Sequence, residues 1–363
     1  MQSALRVLAA VVAAGGVVAA GAVAAAPKAL SIYFIDVEGG QSTLVVTPSG
    51  ESLLIDAGFP DGGGFQAIPG DPAKARDANR IVRAARDAGL SRIDYLLITH
   101  FHGDHDGGVV ELSQLMPIGT FIDHDTVPAE GEAVGGTLDL FRRYAEVRAK
   151  RRHVVPKPGD RLPLGNPGGA SVTVVSSAGA TLTAPLPGAG APNLACTSAA
   201  SLPAQEKIEN PRSTGVLVQF GRFRFLDVGD LSGEPLHALA CPTNLIGPVD
   251  VYLVAHHGGP DAADRATVAA WKPRAAISNN GAAKGGVPEL FATLRDMNVD
   301  WWQLHRSTDA GARNAADDRI ANLDETAAYW IKVEAAADGS FVLTNQRTGV
   351  ARRFSASSST RGR

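Results

Sequence analysis

This chain has few cysteines and no strong excess of charge of either sign. Among its 363 residues only Cys196 and Cys241 carry thiols. They lack metal-ligand spacing to one another, which excludes a zinc site built on cysteine pairs. The formal charge is -3, so no general attraction to nucleic acid follows. No self-similar period of 20–50 residues is present, which excludes a repeat architecture. After residue 26 no apolar run reaches membrane-spanning length, so no channel of several spans is encoded. What remains is ordinary for a globular protein: 45% hydrophobic and 20% charged residues, in a chain long enough for a sizeable core.

The one long apolar run comes first. Arg6 precedes VLAAVVAAGGVVAAGAVAAA, and Pro27 follows it. A basic start, an apolar stretch and an A-x-A end describe a secretory signal over residues 1–26. Pro27 disfavours a cut directly before it, which places cleavage near Ala24. The alternative is an uncleaved anchor, because the run approaches spanning length. Export to the periplasm or the medium is the expectation, with no further membrane contact. An oxidising compartment allows a Cys196–Cys241 disulfide, but the sequence does not show whether the two Cα atoms approach.

Beyond the signal, SIYFIDV (31–37), STLVVT (42–47) and SLLIDAG (52–58) read as strands. Residues 77–89 have helical spacing and end at a glycine. IDYLLIT (93–99) is a strand, VVELSQL a helix, IGTFID (118–123) a strand and 135–152 a helix. SVTVVSS (171–177) precedes an Ala, Gly, Pro and Ser-rich insertion over 178–212. TGVLVQFG and FRFLDVG form a hairpin about Gly221-Arg222. Strands at 249–255, 274–279 and 300–304 alternate with helices at 261–271 and 288–297. A hairpin about Asp338-Gly339 closes one domain over 27–354, and 355–363 is a disordered tail. Strands first, then alternation, imply two packed sheets with outer helices, an α/β sandwich.

The chemistry concentrates in THFHGDHDGG (99–108). Imidazoles and carboxylates at this density suit zinc, and also manganese or iron. His100 and His102 are two apart, so an extended segment points them the same way. Asp104 and His105 follow in a glycine-relieved turn and reach a neighbouring point. One loop can thus serve two adjacent ions.

HFHGDH is similar to the H-x-H-x-D-H signature of the metallo-β-lactamase-fold hydrolases. LIDAG with Asp56, LDVGD with Asp230 and LVAHHGG resemble the family's other motifs, in order. The resemblance covers roughly residues 30–305. IDVEGGQS (35–42), NPRST (210–214), VGD and AHHGG resemble the hydrolase domain of DNA-uptake competence proteins. Glu38 and Gln41 depart from that subgroup, and NNGAAKGGVPE (279–289) lacks its histidine before the proline. The resemblance implies a four-layer αβ/βα sandwich holding two divalent ions, zinc above manganese or iron. His100 and His102 would bind the first ion, Asp104 and His105 the second, and Asp230 both. His256 would complete the second site, with His257 facing substrate; the two histidines are open to exchange. Asp56 would brace the loop from behind. The first site lacks the family's usual third histidine; His124 and Asn210 are the candidates there, and His153 a weaker one.

A metal-activated water then attacks an ester, lactone or phosphodiester of a small-molecule substrate, Asp104 orienting it. His257 or Tyr252 would supply a proton to the leaving group. A non-catalytic binding protein and a β-lactam hydrolase are the competing readings. The basic run RRYAEVRAKRR (142–152) reads as a solvated helix face or an anion attractor. Trp271, Trp301 and Trp302 read as core or pocket wall, and His237 and His305 as structural or surface residues, with His305, near a strand end in WWQLHRS, also a candidate to face the pocket.

Overall fold

The computed structural model describes residues 29–61, 69–128, 134–196, 209–262, 264–309 and 314–356. The expected signal segment, residues 197–208 of the insertion and the tail from 357 onward lie outside the described residues. Among the described residues no helix is long and apolar enough to cross a membrane.

The chain first lays down β1 (Leu30–Phe34), β2 (Thr43–Val46), β3 (Ser52–Ile55), β4 (Ile93–Leu97), β5 (Ile118–Ile122) and β6 (Arg152–Val154). The first three pair antiparallel, Ile32 opposite Val45 and Val45 opposite Leu53. From β3 to β6 the pairing is parallel. Parallel neighbours need crossovers, and helices α1 (Arg76–Asp87), α2 (Val109–Leu115) and α3 (Thr137–Arg148) lie in or beside them.

A second sheet follows: β7 (Ala170–Ser177), β8 (Ala180–Thr181), β9 (Gly215–Phe220), β10 (Phe223–Asp227), β11 (Val251–Leu253), β12 (Ala275–Ser278), β13 (Asp300–His305) and β14 (Ile320–Asn322). Its strands from β10 to β14 run parallel. Helices α4 (Gly233–Ala238), α5 (Arg265–Trp271) and α6 (Pro288–Asp296) lie between them in sequence. The β9–β10 hairpin turns at Gly221, where φ is +57° and an added Cβ would meet the Ala337 carbonyl at 2.1 Å. Finally β15 (Ile331–Ala335), β16 (Phe341–Asn345) and β17 (Ala351–Phe354) return to the first sheet beside β1.

Three apolar clusters define the layers. Ile32, Phe34, Val45 and Leu97 of the first sheet meet Val218, Phe225, Val251 and Trp302 of the second in a dry seam. Ile81, Ala85 and Leu112 of α1 and α2 cover the outer face of the first sheet. Leu236, Val268, Leu290 and Leu294 of α4 to α6 cover the second. The expected four-layer αβ/βα sandwich is therefore the observed one. Trp302 fills the seam, Trp271 meets Tyr252 edge-on at 5.1 Å, and Trp301 stacks on Phe291 at 4.6 Å, so all three serve packing. Cys196 and Cys241 form a disulfide, with Cα atoms 5.7 Å apart.

Candidate metal centre

Ligands of α/β sheets gather at the carboxyl ends of parallel strands, where loops diverge and backbone groups point outward. Both sheets obey this. Asp56 follows β3, the 99–108 loop follows β4 and His124 follows β5. In the second sheet Asp230 follows β10, His256 and His257 follow β11, and Lys284 follows β12. The two rims meet over Gln41, whose backbone N–H donates to the Asp104 carbonyl (3.1 Å) and whose Nε2 donates to Asp227 (3.0 Å).

Two groups of donors result, both buried. Asp104, His105, Asp230 and His257 have ligand atoms mutually within 4.8 Å, as do His100, His102 and Asp230. In the larger group His257 Nε2 lies 3.2 Å from Asp104 Oδ2 and 3.2 Å from Asp230 Oδ1. His105 Nε2 lies 3.4 Å from Asp104 Oδ2 and 3.3 Å from Asp230 Oδ2. A tetrahedral ion with ligands at about 2.1 Å separates them by roughly 3.4 Å, so these edges fit zinc-sized coordination. In the smaller group His100 Nε2 stands 2.8 Å from His102 Nδ1 and 3.9 Å from Asp230 Oδ2. Asp230 is thus shared.

Three of the donor atoms are left without a hydrogen bond. His105 Nε2, His257 Nε2 and Asp230 Oδ1 are buried without a hydrogen bond. Such atoms are rare in folded proteins and mark an ion or water. The donor set is therefore suited to divalent cations.

The loop is braced from beneath. Asp56 Oδ1 accepts from the Thr99 backbone N–H (2.7 Å), and Oδ2 accepts from the Thr99 hydroxyl (2.8 Å) and His105 Nδ1 (2.7 Å). This carboxylate–imidazole pair places the His105 proton on Nδ1 and turns the Nε2 lone pair toward the group. Thr99 Oγ1, having donated to Asp56, accepts from His100 Nδ1 at 3.1 Å, which makes His100 Nε2 the acceptor of that ring, facing His102 Nδ1 at 2.8 Å.

The electrostatics match. Burial alone raises the Asp104 carboxyl, but Lys284 and His105 hold it well below its usual range. Burial likewise opposes ionisation of Asp230, and His257, His105 and His256 overcome it. Both remain anionic donors. His100 is driven well below the usual imidazole range by burial and by the neighbouring His105 and His102. Burial would also lower His105, but Asp230, Asp104 and Asp56 raise it well above; these carboxylates favour positive charge at the ring, which a divalent cation at Nε2 would supply in place of a second proton.

Several expectations change. His257, rather than His256, completes the larger group. Both residues have left-handed backbones, φ 46° and 53°. The turn is pinned by the His256 N–H on the Gly229 carbonyl and the Gly286 N–H on the His257 carbonyl. His256 stands at the margin, its Nε2 3.6 Å from Asp230 Oδ2 and its Nδ1 2.7 Å from Asp261. Asn210 Nδ2 lies 3.1 Å from His256 Nε2, so Asn210 contacts that ring and joins neither group. His124 also joins neither: its Nε2 bonds Glu209 Oε2 at 3.0 Å and its ring packs on Phe101. His153 bonds Asp123 and His237 bonds Asp264. His305 is buried with Nδ1 on the Arg306 carbonyl. Tyr252 is walled in beneath the turn, accepts the Ala255 N–H, and is raised by burial, which removes it as a proton donor. In the basic run, Arg148 holds Asp123 at 2.9 Å and Arg142 makes an exposed pair with Asp139.

Four residues here were not anticipated. Glu209 Oε2 accepts the Phe101 N–H (3.1 Å) and the His124 ring, supporting the loop; it was hidden in the expected insertion. Asp261 orients His256. Lys284 Nζ bonds Asp104 Oδ2, and its only sequence signal was the departure in 279–289. Asp106 is buried with neither oxygen hydrogen-bonded; burial outweighs the opposing pull of His105 and, with the smaller contribution of Glu209, pushes its carboxyl well up.

Comparison with known proteins finds the following similarities. A UPF0173 metal-dependent hydrolase of Nanoarchaeum equitans is 29% identical over 99 residues, covering 25% of this chain and 46% of that one, so the match spans about half of the relative's length. Among solved structures, CmlA, a diiron beta-hydroxylase from Streptomyces venezuelae, is 15% identical with TM-score 0.39, covering 76% of this chain and 52% of that one. Zn(2+)-bound PqqB from Methylobacterium extorquens is 13% identical with TM-score 0.38, covering 76% and 98%. Residues 35–179, which contain Asp56 and the whole HFHGDH loop, match the family described as Metallo-beta-lactamase superfamily.

Proposed function

We propose that the chain is an exported hydrolase that holds two divalent ions, zinc in the first instance, and cleaves a phosphodiester, ester or lactone of a small molecule. The observation that carries this reading is the sharing of Asp230 between two buried donor groups of histidines and aspartates. His100, His102 and Asp230 would hold one ion, and Asp104, His105, Asp230 and His257 the other. When bound, such a pair polarises the scissile group and brings the pKa of water to about 7.

The chain's own residues do the rest. Asp230 spans both groups and fixes their separation. Asp104, ionised, is placed to orient the attacking water. His256 is the residue suited to pass a proton to the leaving group: Asp261 holds its Nδ1, and its Nε2 faces the Asp230 side of the site. This is the role first expected of His257. Export is supported by the basic-then-apolar start of the chain and by the Cys196–Cys241 disulfide.

The test is to purify the chain, load zinc or manganese, count ions by elemental analysis, and assay a phosphodiester, an aryl ester and a lactone. Two ions with turnover support the reading. The smaller group offers only three donors among the described residues, which favours a second reading, a binding protein of the same fold. One ion per chain and no turnover would select that one.

A further inference from the structure

We propose that Lys284 makes this site selective for substrates whose scissile group itself carries a negative charge, as a phosphodiester does. The inference rests on the hydrolase reading and narrows it.

Lys284 lies on the loop after β12. Its Nζ bonds Asp104 Oδ2 and stands 5.5 Å from the centre of the Phe59 ring. Its side chain is 32% exposed while that of Asp104 is 2% exposed, so the ammonium sits between the buried donors and solvent. The position is built. The Gly281 N–H donates to the Lys284 carbonyl at 2.9 Å. Gly39, at φ +90°, faces it, and an added Cβ there would come 3.1 Å from Lys284 Cβ. Glu38, beside Gly39, is fixed by Arg76 (2.7 Å) and Arg80 (2.6 Å). Those arginines serve Glu38, Asp77 and Asp36. Lys284 is the cationic side chain that, among the described residues, pairs with a donor of either group.

A fixed ammonium beside a site for divalent cations does nothing to hold them, since like charges repel. What it favours is a ligand of opposite sign, and lysine clamps act where negative charge sits or develops on a transferring phosphoryl group. A neutral ester or lactone offers it no charge before attack. A phosphodiester carries a full negative charge on the non-bridging oxygens of the phosphorus under attack, and with one of them toward Lys284 on the Asp104 side its leaving oxygen would meet His256 on the Asp230 side. The bond changes balance: water oxygen bonds to phosphorus, the bond from phosphorus to the leaving oxygen breaks, that oxygen takes the electron pair and a proton, and no redox partner is needed.

The test compares the metal-loaded full chain with Lys284→Met and Lys284→Arg. Binding of dimethyl phosphate is measured by calorimetry, and kcat/KM with bis-p-nitrophenyl phosphate, p-nitrophenyl acetate and p-nitrophenyl hemisuccinate. Lys284→Met is expected to lose about 10- to 100-fold on the phosphodiester and in dimethyl phosphate affinity, the scale of a charge-assisted hydrogen bond. It leaves the acetate ester little changed, Lys284→Arg recovers most of the loss, and the metal content of all three chains is equal. Equal losses on phosphodiester and acetate, a loss confined to the hemisuccinate, or unchanged dimethyl phosphate affinity overturns the proposal. Should the wild type cleave none of these esters, the hydrolase reading fails, and the calorimetry still decides Lys284.

Discussion

The two halves of the molecule supply the candidate metal centre in different ways. The first contributes four donors from six consecutive residues, His100 to His105, on a single loop. The second contributes one donor per turn, Asp230 after β10 and His257 after β11. Each half contains an aspartate–histidine pair at 2.7 Å, Asp56 with His105 and Asp261 with His256. The first pair lies under the donors and the second at their margin. The same pairing chemistry therefore fixes a ligand on one side and a part-buried ring at the site's margin on the other.

The largest expected effect comes from the residue that joins the halves. Asp230→Ala removes a donor from both groups and leaves His100 and His102 in one and Asp104, His105 and His257 in the other. Loss of an outer partner of a metal ligand costs 10–100-fold, so loss of the shared ligand should exceed that, on the order of 10³-fold in activity. Elemental analysis should show fewer than one ion per chain. Two ions retained would mean that the halves bind metal independently.

The next effect separates the neighbouring histidines. His257→Ala should lose an ion, whereas His256→Ala should keep both and lose about 10²-fold in kcat, the scale of general acid catalysis. The reverse pattern in metal content would return His256 to the ligand set.

That pair also shows where the sequence was legible and where it was not. HFHGDH could be read because its donors are local and its spacing alone puts them on one loop. Asp56 and Asp230 could be read because each follows an apolar strand in a short motif. The order of the layers followed from strands giving way to alternation. His256 and His257 could not be ranked, because adjacent side chains diverge and only the left-handed backbone, held by Gly229 and Gly286, decides which ring turns inward. His124 was misread for a related reason: it does end a strand beside the loop, but Glu209, 85 residues away in sequence, captures its ring. Lys284 lies 180 residues from Asp104, and nothing local in NNGAAKGGVPE announces that contact.

A smaller effect sharpens the comparison of the two aspartate–histidine pairs. Asp56→Ala leaves His105 Nδ1 without its acceptor and should weaken metal binding about 10–100-fold, read by competition with a chelator. Asp261→Ala acts on a ring outside both groups and should lower kcat while leaving that affinity unchanged. Equal losses of affinity would show that His256 contributes to the metal site after all.

The smallest effect concerns the contact that ties the halves together. Asp227 Oδ1 accepts the Gln41 amide from the first half and the Gly229 N–H from its own, both at 3.0 Å, while Oδ2 has no partner. Burial, reinforced by the charge of Asp56, raises this carboxyl from 3.8 to about 7. Between those values the folded chain binds more protons than the unfolded one, so this group's stabilisation is complete below pH 3.8, declines by about 1.4 kcal/mol per pH unit, and is gone above pH 7. Asp227→Asn keeps the acceptor and cannot ionise. In urea unfolding with chelator present, it should come closest to the wild type at about pH 3.5 and become the more stable of the two as pH rises to about 8. Parallel pH profiles would mean that Gln41 and Gly229 already hold an ionised carboxylate, and that the seam between the halves is polar enough to carry a charge.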